Sequence, residues 1–170
     1  VPLIFQRFFR GDDGGTLNSI LALFGADPIK WLSNTSLNNW CLVFASVWRY
    51  IGFDILMFIG AIQSISPDIY EAADLDGANA WQKFWHIIFP GIRTIIALQL
   101  ILAIKGAASV FEIPYIITGG KFGTSTFVIK TIETGFQYQK IGLASAMAIV
   151  LLIIILIITV IQKIFFKEKR

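Results

Sequence analysis

The run from Ile141 to Gln162 carries no charged side chain. A helix over it is about 33 Å long at 1.5 Å per residue, enough to cross a hydrocarbon layer about 30 Å thick. It holds 14 Ile, Leu and Val residues, whose insertion energies favour the bilayer by about 4 to 8 kcal/mol in sum. Two further stretches, about 40 to 62 and 93 to 116, reach the same length. With 56% hydrophobic and 15% charged residues and a mean hydropathy of +0.72, the chain is far more apolar than a soluble domain of its size. The expected fold class is all-α, a polytopic transmembrane helical bundle with three spans.

The first two spans differ from the third in carrying charge. Span one contains Arg49 and Asp54 among 11 Ile, Leu, Phe and Val residues. Those apolar residues are worth about 3 to 7 kcal/mol, whereas a charge near the bilayer centre costs about 2.5 to 3.5 kcal/mol. Span two carries Lys105 and Glu112, seven apart and so on one face of a continuous helix. Both spans therefore need protein neighbours or water on one side. The four ionisable residues mark a polar pathway, or else pair structurally or snorkel to an interface. In span three, Gly142 and Ala146, and Ala144 and Ala148, offer small-residue faces for a neighbouring backbone. The apolar run from Ile149 to Ile158 suits lipid.

Several chemistries find no support. A single cysteine, Cys41, and a single histidine, His86, give neither an internal disulfide nor a metal-ligand cluster. His86 reads as a surface histidine, and Asp74 and Asp76 point to different sides of a helix, so no catalytic constellation emerges. The segment Thr118–Thr124 lacks the spacing of a phosphate-binding loop. The net charge is only +3, and the tail cations Lys163, Lys167, Lys169 and Arg170 follow an apolar run. They suit a membrane-surface anchor and not a nucleic-acid footprint.

Placing that tail in the cytoplasm puts the loop of residues 64 to 92 there too. Six Lys or Arg (Lys83, Arg93 and the tail) then lie inside, against Lys121, Lys130 and Lys140 outside. The N-terminal stretch lies outside, with Trp31 and Trp40 suited to an interfacial belt. Its first residues lack a starting Met and the order of a signal peptide, as expected of a piece of a longer chain.

The inner loop has a strong local signature. Ser66 suits a helix cap, Pro67 the first helical position, and Asp68 and Glu71 the positive end of the dipole. Gly77 is a natural stop, so a helix is expected over 67 to 76, with Ile69, Ala72, Ala73 and Asp76 on one face. A second amphipathic helix is expected from about Ala78 to Phe89 through Trp81, Phe84, Trp85 and Ile88, ended by Pro90-Gly91. Helix, glycine turn and helix form either a docking element or an ordinary connecting loop lying on the membrane.

The run Tyr70-Glu71-Ala72-Ala73-Asp74-Leu75-Asp76-Gly77-Ala78, followed by Phe84 and Ile88-Phe89-Pro90, closely resembles the EAA motif of ABC importer permeases of the maltose and glycerol-phosphate type. Further similarity lies at Gly15–Leu21, Trp31-Leu32, Trp48–Phe53, Leu56–Pro67, Tyr115–Gly120 and Ala144–Ala146. Lys121-Phe122 departs from the Gly-Pro that commonly follows the outer Thr-Gly-Gly. The resemblance implies the C-terminal half of a permease of about six spans, in a bacterial cytoplasmic membrane, importing sugars delivered by a solute-binding protein. It implies a second permease subunit and an ATPase dimer that binds ATP and Mg and performs the hydrolysis, leaving this chain non-enzymatic and without a cofactor. The loop would be the coupling helix, with Glu71 and Gly77 as principal contacts and Ala72, Ala73, Asp76 and Ala78 lining them. Since sugar C–H faces stack on rings, Trp48, Tyr50 and Phe111 join Arg49, Asp54, Lys105 and Glu112 as candidate pathway residues, packing being the alternative for each aromatic. The buried charges also leave open an ion-gradient-driven secondary transporter. An intramembrane enzyme would need a catalytic group at depth that the sequence does not offer.

Overall fold

The computed structural model describes residues 1–12 and 14–165. The tail anchor expected of Lys167, Lys169 and Arg170 lies outside them. Among the described residues there are ten α-helices, two π turns and no strand.

At one end lie α1 (Pro2–Phe8) and α2 (Thr16–Leu23), joined to the long α3 (Asn38–Gln63) by an irregular segment. That segment is held by Asn18, only 3% exposed. Its amide donates to the carbonyls of Arg10 and Ile29, while its Oδ1 accepts from Ile29 N–H and from the Trp31 indole at 2.8 Å. Trp31 is thus a half-buried packing residue and not a free belt aromatic, whereas Trp40 is largely exposed. The core here joins Phe5 and Phe9 of α1, Cys41 and Ala45 of α3, and Ile113 and Ile117 of α8.

α3 runs about 39 Å at the helical rise, and matches the expected first span. α4 (Pro67–Leu75) follows, then α5 (Ala80–Lys83), a π turn over Phe84–Ile88 and α6 (Phe89–Gly91). The chain bends by 62° into α7 (Arg93–Ala108). The expected second span, 93 to 116, is not one helix: α7 ends at Ala108 and α8 (Glu112–Thr118) starts anew after three residues. Pro114 explains the break. Its ring excludes a continuous helix by removing a donor to the Val110 carbonyl and colliding with it, but is tolerated in the first turn of α8. Ser109 adds to this by bonding back to the Lys105 carbonyl at 2.9 Å.

α9 (Phe127–Ile132) and a π turn over Glu133–Gln137 lead into α10 (Ile141–Phe165). Of the two small-residue faces, that of Ala144 and Ala148 is used: a Cβ on Gly135 would come within 3.1 Å of the Ala144 Cβ, and Ala148 walls a groove shared with α9. Nothing approaches Gly142. Two helices, α3 and α10, are each long and apolar enough to cross a membrane, and a third crossing follows if the bent pair ending in α7 counts as one.

Candidate functional site

The elbow between α3 and α7 is built by local rules. Pro67 opens α4 with Asp68 in its first turn, while Ser66 caps through its backbone and makes no side-chain bond. The helix stops where Gly77 takes φ +75°, a conformation cheap only for glycine. Ala78 N–H then donates to the Ala73 carbonyl at 2.9 Å and Gly77 N–H to that of Asp74 at 3.1 Å, the paired bonds of a Schellman stop. The second helix begins later than expected, because Asn79 and Gln82 form a capping box, each side chain bonding the other's backbone N–H at 2.9 and 2.8 Å. The Asn-x-x-Gln spacing carried that signal.

Lys83 Nζ reaches Asp74 Oδ1 at 2.5 Å and ties the two short helices together across the glycine turn. The ends of the elbow meet as well, since a Cβ on Gly91 would lie 2.7 Å from Ile65 Cδ1. Pro90 cannot donate to the His86 carbonyl, and the backbone widens upstream into the π turn, closed by Phe89 N–H on the Phe84 carbonyl. Pro90-Gly91 therefore bends the path and does not end the helix before it. Trp81, Phe84, Trp85 and Phe89 form a continuous aromatic ladder with ring centroids 5.2 to 6.1 Å apart.

Burial divides the expected contact face. Ala73 is buried against the chain itself and Ala78 is half-buried, so neither lies on the outward surface with Ala72 and Asp76. Tyr70, one turn before Ala73, is turned inward too. The free face of α4 carries Asp68, Ile69, Glu71, Ala72, Leu75 and Asp76, with Ile69 48% and Leu75 91% exposed: an acidic ridge around two apolar side chains.

Three of the four ionisable residues of the spans are paired with another side chain. Arg49 and Glu112 form an ion pair at 2.7 Å that ties the middle of α3 to the first residue of α8. The Arg49 guanidinium also lies 5.5 Å from the Tyr50 ring centroid. Lys105 and Glu112 do not share a helical face, because the helix breaks between them, and Lys105 is exposed. Asp54 accepts from Gln99 at 2.9 Å, a bridge between α3 and α7. Phe111 stacks on Tyr115 at 4.8 Å, and Trp48 stacks on Phe44 beside Phe5. Arg49, Tyr50, Phe111 and Glu112 thus gather around the helix break, and Trp48 belongs to the aromatic packing. Among the described residues no group of three or more His, Cys, Asp or Glu could hold a metal ion.

A family model described as binding-protein-dependent transport system inner membrane component matches residues 2–170. The osmoprotective compounds uptake permease protein GgtC of Synechocystis is 36% identical over 138 residues, covering 81% of this chain and 50% of its own length. The arabinooligosaccharides transport system permease protein AraP of Bacillus subtilis is 34% identical over 94% of this chain and 52% of its own length. The trehalose/maltose transport system permease protein MalF of Thermococcus litoralis is 33% identical over 86% of this chain and 50% of its own. The chain spans about half the length of the curated relatives it matches. In fold it is similar to a chain of a bacterial ABC transporter involved in the import of the acidic polysaccharide alginate, with a TM-score of 0.87 at 24% identity over 96% of this chain and 58% of that one.

Proposed function

Because the chain belongs to the binding-protein-dependent transport system inner membrane component family, we propose that it is the membrane-spanning permease part of an ATP-driven importer of sugars or oligosaccharides in a bacterial inner membrane. The observation that carries the reading is the elbow, a short helix locked at both ends with its outward face left free. An ATPase subunit that binds ATP and Mg grips that face through Glu71, Ala72, Leu75 and Asp76, and this chain performs no hydrolysis. Gly77, Ala73 and Ala78 act beneath the contact by fixing the angle at which α4 is presented. Closure of the ATPase dimer would push α4, and the Asp74–Lys83 tie and the Ile65–Gly91 contact would pass the movement to α3 and α7 as one unit. A second permease subunit completes the pathway, and a solute-binding protein delivers substrate at the far end. Arg49, Tyr50, Phe111 and Glu112, near the break between α7 and α8, and Asp54, beside Gln99 of α7, are proposed to line the polar route. The names of AraP and MalF, which transport arabinooligosaccharides and trehalose or maltose, support a carbohydrate substrate.

The test is Gly77→Val in the full transporter. A β-branched side chain at φ +75° misdirects α4. Association with the ATPase and ATP-dependent uptake should each fall at least tenfold while the subunit still inserts. Uptake that survives ATP depletion but collapses with a protonophore would replace this reading by an ion-gradient-driven transporter.

A further inference from the structure

Away from the core of α1, α3 and α8, a second buried patch surrounds the elbow: Ala61 near the end of α3, Ala73 of α4 and Ile92 at the bend are all buried. The long α10 is exposed or half-exposed at every other described position, yet Gln162 near its end is only 5% exposed. Both polar atoms of that amide are shut off from solvent and have no hydrogen-bond partner. The elbow holds a second group of this kind. Tyr70 of α4 is turned inward, and its phenol oxygen is buried without a partner.

Topology puts both groups at one end of the bundle. α10 packs along α7, and as consecutive crossings the two run in opposite directions, so the end of α10 lies beside the start of α7. Gln162 is about five turns, or 27 Å, beyond Ala144, which meets Gly135 at the other end. Unpaired polar groups are costly in a protein interior, and native folds keep few of them. Here two stand at one end, on the element that the ATPase pushes and on the neighbouring span. They are chemically complementary, since a phenol O–H donates and an amide oxygen accepts. This chain's own atoms already cover them, so no neighbouring chain reaches either group unless this end of the bundle rearranges first.

We propose that Tyr70 and Gln162 form a state-dependent latch, unpaired in the nucleotide-free conformation and joined by a hydrogen bond from Tyr70 Oη to Gln162 Oε1 once closure of the ATPase dimer displaces α4. The unpaired groups raise the energy of one state and the bond lowers that of the other, so both effects favour closure. The latch rests on the importer reading above and adds α10 to the elements that the elbow moves. α3 and α7 follow α4 through the chain itself, and α10 follows through the latch. Tyr70 and Gln162 are positioning residues that touch no substrate.

The test uses the full transporter in nanodiscs, with nucleotide trapped by orthovanadate as the measure of closure and melting without nucleotide as the measure of the unlatched state. Tyr70→Phe and Gln162→Met keep the bulk of each side chain and remove the unpaired group. Each should raise the melting temperature by about 2 °C, and the two shifts should add in the double variant, because the groups do not meet in that state. Each should also raise the ATP concentration for half-maximal trapping about fivefold. The double variant should raise it no further than either single one, because the same bond is lost in all three. A role in packing alone would not produce that pattern. Unchanged or lowered melting temperatures would mean that the groups already have partners, and unchanged or additive trapping shifts would mean that they never meet. Either result overturns the latch, while trapping in the wild type leaves the importer standing. A wild-type transporter that traps no nucleotide would overturn the importer and the latch with it.

Discussion

Asn18 shows how much one polar side chain organises at the α1 end of the molecule. From α2 its amide joins Arg10, before that helix, to Ile29 and Trp31, in the irregular segment after it. A buried polar group left unpaired costs about 1 to 3 kcal/mol, and Asn18→Ala strands two donors at once. The expected result is a destabilised segment before α3, seen as faster hydrogen exchange at Ile29 and Trp31 and a drop in melting temperature, with the elbow unaffected. Asn18→Asp keeps the acceptor for the Ile29 amide and the Trp31 indole, and is expected to recover part of the loss. The residues of the elbow follow simpler rules. Pro67, Gly77, Asn79 and Gln82 act within a few positions of themselves, which is why they can be read from sequence. Asn79 and Gln82 needed only the capping-box spacing to be recognised. Asn18 could not be read that way, because its partners are fixed by how the chain folds back.

At the scale of elements, the prolines decide where helices stop being straight. Pro114 breaks the second span into α7 and α8, and Pro90 widens the backbone into a π turn before the 62° bend. Breaking the second span brings the first residue of α8, Glu112, against Arg49. Pro114→Ala restores the donor that the Val110 carbonyl lacks, and should let α7 run on into α8. Spin labels at Leu100 and Tyr115, both exposed, should then separate toward the roughly 22 Å of a continuous helix. An unchanged distance distribution would mean that the break is held by packing against α1 and α3, not by the proline. The contact face of α4 teaches the converse. Periodicity grouped Ile69, Ala72, Ala73 and Asp76, yet the tertiary fold turned Tyr70 and Ala73 inward and left Leu75 outermost. A nine-residue helix of mixed character has no dominant apolar stripe, so its orientation is set by what its flanking elements permit.

For the whole molecule, the Arg49–Glu112 pair joins the one long charged span to the segment beyond the helix break. A charge at membrane depth is costly alone and tolerable in company. Arg49→Gln and Glu112→Gln should each lower Tm in nanodiscs by a few degrees, and the double substitution by less than the sum, the signature of direct coupling. Strict additivity would mean that the pair contributes nothing to the assembly of α3 with α8. Taken by itself, the sequence determined the helical class, the two intact spans and the glycine-stopped elbow. Each of these depends on interactions within one turn of helix or on transfer of a continuous apolar run into lipid, and both are local properties. Only the tertiary structure decided that Glu112 meets Arg49 and not Lys105, and that Trp31 serves Asn18. Those pairings depend on how the chain folds back, through the irregular segment before α3 for Asn18 and Trp31 and through the bends at Ile92 and Ser109 for the others, and no spacing rule reaches across such turns.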